Sequence, residues 1–70
     1  MYFRRLAELR IDHDLSQRQL AEIIGMNRET YQRYEVGTRE IPVWLLIRLA
    51  EYYGVSVDYI LGLSDRKRSV

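Results

Sequence analysis

The sequence predicts an all-α fold of five helices. Three observations carry that expectation. Glycines at 25, 37, 54 and 62 each follow a helix-like segment, where a left-handed C-cap belongs. Ser16, Asn27 and Ser56 stand where helices would start, and all three are favourable N-cap residues. No segment alternates apolar and polar residues for long enough to make a strand.

The first helix is expected from about Tyr2 to His13. Phe3, Leu6 and Arg10 recur on one face, with Tyr2 and Leu9 beside them. The second begins after Ser16, and Gln19 three residues on completes a capping-box pattern. It turns Leu20, Ala21 and Ile24 inward and stops at Gly25. The third starts at Asn27 and stops before Gly37. The fourth runs from Pro42, the only proline and a favourable first residue of a helix, to Tyr53. Leu45, Leu46, Leu49, Ala50 and Tyr53 fall at core spacing along it. Ser56 caps a last short helix, Val57 to Leu61. Residues 1–63 read as one domain, and 64–70, SDRKRSV, as a polar basic tail expected to fray.

Seventy residues make a single domain. A chain this small needs a staple, efficient helix packing or burial against a partner, and 47% apolar residues make packing workable. There is no cysteine, hence no disulfide framework and no thiolate zinc site. No run approaches the roughly 18 apolar residues of a membrane span. No basic stretch followed by an apolar one marks a signal peptide. A cytoplasmic protein without a membrane partner is the expectation. The net charge of +1 says little about partners. Ten of the eleven basic residues are arginine, the bidentate donor suited to phosphates and guanine edges. Genomic base composition also favours arginine, so that clue weighs little.

The third helix is short and polar: GMNRETYQRYEVG, residues 25 to 37. At about 100° per residue, Asn27, Tyr31 and Tyr34 fall on one side. Arg28, Glu29, Gln32 and Arg33 occupy the opposite arc. With the second helix and the short turn between them it forms a helix-turn-helix candidate. In such a unit the second helix enters the major groove of DNA. Arginine reads guanine, glutamine reads adenine and glutamate accepts from cytosine. The arc holds one of each kind and a second arginine. A merely solvated helix face presents the same kind of polar arc, and this helix alone does not separate the two readings.

The surrounding residues do separate them. Leu15-Ser16-Gln17, Ala21, Gly25, Glu35, Gly37, Pro42, Ala50 and the stretch Val55 to Gly62 form a spaced set. In that set the chain resembles the lambda-repressor-like helix-turn-helix family, the Cro/C1 or XRE type, over roughly residues 3–62. The resemblance implies a five-helix bundle that binds double-stranded DNA as a transcriptional regulator, repressor-like, and does so as a homodimer. It implies that Asn27, Arg28, Glu29, Gln32 and Arg33 hold the recognition-helix positions. Gln17 would touch a phosphate or the base-contacting side chains, and Arg18, Thr38 and Arg39 would approach the DNA backbone. Arg10 and Glu35 match a buried ion pair that links the first and third helices. Many members carry Gln, Ser or Thr where this chain has Glu29, and Val36 replaces a polar phosphate contact of some members. Those departures bear on which DNA sequence is bound.

No enzyme is expected. His13 is the only histidine, and metal binding needs companions. Ser16, His13 and Asp14 lie too close along the chain to converge as a triad. Glu8 and Asp12 read as a solvated face, and there is no Gly-rich phosphate loop. Neither cofactor nor metal is called for. The fourth helix is apolar around much of its circumference, VWLLIRLA. Trp44 either covers the small core or faces a second subunit. The expected dimer surface comprises Trp44, Ile47, Val57, Tyr59, Ile60 and Leu63. Arg66, Lys67 and Arg68 read as a solvated tail. The rival to a DNA reader is an antitoxin or other protein-interaction module, for which the apolar fourth helix leaves room.

Overall fold

The computed structural model describes residues 1–68. Five helices follow in order, α1 (Arg4–Asp12), α2 (Gln17–Ile24), α3 (Arg28–Val36), α4 (Val43–Tyr53) and α5 (Val57–Leu61). Among the described residues there is no strand. None of the helices is long and apolar enough to cross a membrane. The all-α, five-helix class is the one the caps and glycines predict.

Local chemistry sets most boundaries. Ser16 accepts from the Gln19 amide at 3.0 Å, and the Gln19 side chain accepts from the Ser16 amide at 2.8 Å. Two orphan donors of α2 are thereby satisfied by one residue pair. Ser56 accepts from the Tyr59 amide in the same way at the start of α5. Gly25, where α2 gives way to the turn, holds φ +91, a left-handed conformation that disfavours any residue with a Cβ. Pro42 stands one residue outside α4, in extended geometry.

The core is one cluster drawn from all five helices. Leu6 and Leu9 of α1 meet Leu20, Ala21 and Ile24 of α2. Tyr31 and Tyr34 of α3, the inner face of α4 and Ile60 of α5 close it. Each fully buried leucine contributes about 1.5–3 kcal/mol, which a domain this small needs. Two cross-links add to packing: Arg48 on α4 donates to the Ile24 carbonyl at 2.9 Å, and α5 lies against α4 and α1.

Two expectations are corrected. The first helix starts at Arg4 rather than near Tyr2, because Phe3 is extended and half-buried and caps α1 without a side-chain hydrogen bond. Tyr2 precedes the helix and is exposed. The tail does not fray from residue 64. Arg5 donates to the carbonyls of Tyr59 and Ser64 and to the Asp65 carboxylate, at 2.7–2.8 Å. Its guanidinium also lies 4.0 Å from the centre of the Tyr59 ring. The Ser56 amide donates to the Lys67 carbonyl, so the chain turns back over α5. Ser69 and Val70, the last of the expected tail, lie outside the described residues.

Candidate nucleic-acid interface

The helix-turn-helix pair is held by short-range bonds at the turn. Gly25 and Met26 both donate to the Ala21 carbonyl, at 2.9 Å each, closing α2. Asn27 then opens α3 by accepting from the Thr30 amide at 2.8 Å. Its side-chain oxygen is therefore occupied by capping, and its amide nitrogen is left as a donor. Ala21 is buried and small, so the two helices pack closely on each other.

A buried charge fixes how α3 sits. Arg10 donates to both oxygens of Glu35, from Nε at 3.0 and 3.3 Å and from Nη2 at 3.0 Å. Its other terminal nitrogen reaches the Leu15 carbonyl at 2.7 Å. Gln17 donates to the same carboxylate at 3.3 Å. Burial alone would raise the Glu35 carboxyl, but the hydrogen bonds, led by that from Arg10, outweigh it and hold Glu35 below its ordinary range. The bond to Glu35 likewise raises the Arg10 guanidinium, against the pull of burial. Among the described residues, the enclosed hydroxyls of Tyr31 and Tyr53 meet no hydrogen-bond partner. Burial first, and the Glu35 charge second, push both phenols up and keep them neutral.

The opposite face of α3 is open. Arg28, Glu29, Gln32 and Arg33 are all exposed. None makes a side-chain hydrogen bond or ion pair with another described residue. In particular, Glu29 is not drawn into a pair with either arginine. Arg18 projects from α2, exposed and likewise without a carboxylate. Just past α3 the loop is organised on one atom, the Arg33 carbonyl. It accepts from the Gly37 amide at 3.2 Å, the Arg39 amide at 3.2 Å and the Thr38 hydroxyl at 3.3 Å. The Arg39 guanidinium lies 5.8 Å from the Tyr34 ring centre. The structure thus brings Arg18, Arg28, Gln32, Arg33, Thr38 and Arg39 to the helix-turn-helix pair and the loop after it. Gln17 is turned inward to Glu35 instead.

The expected dimer residues divide. Trp44 is 52% exposed and Ile47 47%, on the outward side of α4 with Val43. Leu63 is exposed after α5. Ile60 has to be withdrawn from that surface: it is 1% exposed and belongs to the core. A five-residue helix has one buried face, and Ile60 is the residue that fills it. Val57 and Tyr59 are half-buried against the core, and Arg5 covers the Tyr59 ring. His13 closes α1, exposed, with its ring 4.8 Å from that of Tyr53 and its Nδ1 2.9 Å from the Leu9 carbonyl. No group of three His, Asp or Glu side chains among the described residues could hold a metal ion.

Sequence reasoning did not find the Arg5 grip, the Arg48 bond or the packing of Met1 and Tyr2 on Gly37. Each joins residues more than twenty positions apart. No local pattern signals such contacts, although a basic residue on the inner side of α1 marks Arg5 as unusual.

The helix-turn-helix family pattern matches residues 6–60. The chain is 49% identical over 65 residues to the uncharacterised HTH-type transcriptional regulator YobD of Bacillus subtilis, covering 93% of this chain and 58% of that protein. It is 32% identical over 65 residues to the cryptic phage CTXphi transcriptional repressor RstR of Vibrio cholerae, covering 93% and 59%. It is 34% identical over 62 residues to the antitoxin PezA of Streptococcus pneumoniae, covering 89% and 39%. The chain therefore spans less than two thirds of the length of these relatives. No solved structure matches it significantly. Because the matched pattern reaches into all five helices, the chain belongs to the helix-turn-helix family of the Cro/C1 type.

Proposed function

We propose that the chain is a sequence-specific reader of double-stranded DNA that regulates transcription, as a repressor does, from the cytoplasm. One observation carries this reading: four side chains with base-edge chemistry stand exposed and unengaged on a helix whose other face is fully anchored. A helix that is only solvated gains nothing from a buried ion pair holding its orientation, since burying charge carries a desolvation cost. A helix that must present side chains to a groove gains preorganisation.

In this reading α3 lies in the major groove. Arg28 and Arg33 address guanine O6 and N7, Gln32 adenine N6 and N7, and Glu29 the cytosine amino group. Arg18, Thr38 and Arg39 approach phosphates, with the amide nitrogen of Asn27 beside them, while Gln17 stays on Glu35 and helps to hold α3. Trp44 and Ile47, with Leu63, form the self-contacting surface of a homodimer. The likeness to PezA, together with that exposed apolar side of α4, favours a second reading, in which the same surface holds a partner protein.

Selection of bound sequences from a random duplex pool, at two salt concentrations, tests the proposal. The expected result is an inverted repeat with half-sites about one turn, roughly 34 Å, apart. Arg28→Ala or Arg33→Ala should then cost about 1–3 kcal/mol on the selected duplex and much less on random DNA. Equal losses on both would remove these residues as base readers. Enrichment of nothing, with weak binding that vanishes at moderate salt, would leave the protein-partner reading.

A further inference from the structure

Gly37 is unlike the other helix-ending glycines. All four have positive φ. A side chain at Gly25, Gly54 or Gly62 would meet nothing within 4 Å. A Cβ at Gly37 would lie 2.9 Å from the Met1 carbonyl carbon and from the Tyr2 nitrogen and Cα. The Met1 nitrogen donates to the Gly37 carbonyl at 3.2 Å and lies 3.2 Å from a Glu40 carboxylate oxygen. Main chain runs directly against main chain, where α3 passes into the loop bearing Thr38 and Arg39.

That loop is also the widest of the helix endings. After α2, α4 and α5 the returning bond spans five residues: Met26 to Ala21, Val55 to Ala50 and Leu63 to Asp58. After α3 it spans six, from Arg39 to Arg33. A wider turn has more freedom to lose, and the N-terminal backbone is what lies against it.

We propose that the Met1–Tyr2 backbone is a strap seated on Gly37, and that it positions Thr38 and Arg39 for contact with the DNA backbone. The strap rests on the DNA-binding reading given above. Gly37 is a positioning residue, acting through the loop. The packing on Gly37 is made by the backbone of Met1 and Tyr2, and the amino group tethers it through the Gly37 carbonyl and the Glu40 carboxylate.

The test compares Gly37→Ala, Gly54→Ala and a chain lacking Met1 and Tyr2. Gly54→Ala carries comparable strain at φ +69 but has no strap to displace. Two readouts are taken: amide exchange of Arg39 in the free protein, and the salt dependence of binding to the selected duplex. Gly37→Ala and the shortened chain should speed Arg39 exchange at least about tenfold, a change of roughly 1.4 kcal/mol in the opening equilibrium. Both should lower the log–log salt slope by about 0.9 for each phosphate that the loop no longer reaches, and weaken binding about tenfold. Gly54→Ala should leave the slope and Arg39 exchange as in the parent. If Gly37→Ala does not fold, the shortened chain, which keeps every helix, decides. Parental exchange and slope in that chain would overturn the strap. Failure of the DNA-binding reading shows separately, as absence of specific binding by the parent, while Arg39 exchange still reports the strap.

Discussion

Glu35 is the one charged residue buried among those described, and through it Arg10 of α1 and Gln17 of α2 are bonded to α3. Its carboxyl is held below its ordinary value of about 4.5, so the sign of its pH effect is fixed. The stability it contributes is present above that value and is lost as pH falls through the lower, folded value. Glu35→Gln should destabilise the domain by about 3 kcal/mol at pH 7, because Arg10 is left enclosed without its counter-charge. It should also flatten the loss of stability as pH falls below about 4.5, which urea unfolding at several pH values measures. An acid limb as steep in Glu35→Gln as in the parent would show that Glu35 is not the group that titrates. At this scale the sequence was only partly legible. Positions 10 and 35 share no local pattern, and only the family resemblance joined them. Ile60 was misplaced because a five-residue helix offers too little periodicity to tell its faces apart.

The elements themselves were legible wherever their ends are local chemistry. Ser16, Asn27 and Ser56 cap the helices they precede, and the four glycines close the helices they follow. The start of α1 and the segment after α5 were not, since both are set by partners distant in sequence. Arg5 reaches 54 positions to the Tyr59 carbonyl and 60 to Asp65. Arg5→Ala should therefore release residues 64–67 and loosen α5 while leaving α2 and α3 in place. The cost should be about 1.5–3 kcal/mol, typical of hydrogen bonds made by a charged group. Amide exchange at Ser56 and Leu63 should rise, and that at Tyr31 should change only with global stability. Unchanged exchange at Ser56 would mean that the return of the chain to α5 does not need Arg5.

The described residues together measure 33 × 23 × 19 Å. Their longest dimension is close to the roughly 34 Å between successive major-groove sites on one side of a duplex. In the homodimer proposed above, the outward side of α4 would supply apolar surface for the contact between the two copies. Trp44→Glu should reduce self-association, read by sedimentation velocity over a range of concentrations, and weaken binding to a palindromic duplex. It should leave the melting temperature of the monomer nearly unchanged, because Trp44 is half-exposed and contributes little to the core. A parent that stays monomeric both free and on its duplex would remove this surface from the account.

The Arg33 carbonyl, with its three donors, has a consequence for fidelity. Arg33 presents its guanidinium outward while its backbone oxygen secures Gly37, Thr38 and Arg39. In the proposed reading, one residue thus joins the group that would inspect a base to the groups that would grip the strand. A base pair that displaces the Arg33 side chain and drags its main chain along would also draw Thr38 and Arg39 off their phosphates. Each error is then felt twice, once at the base and once at the backbone. Discrimination at that position should exceed what a single base contact supplies, and should come mainly as faster departure from the wrong site.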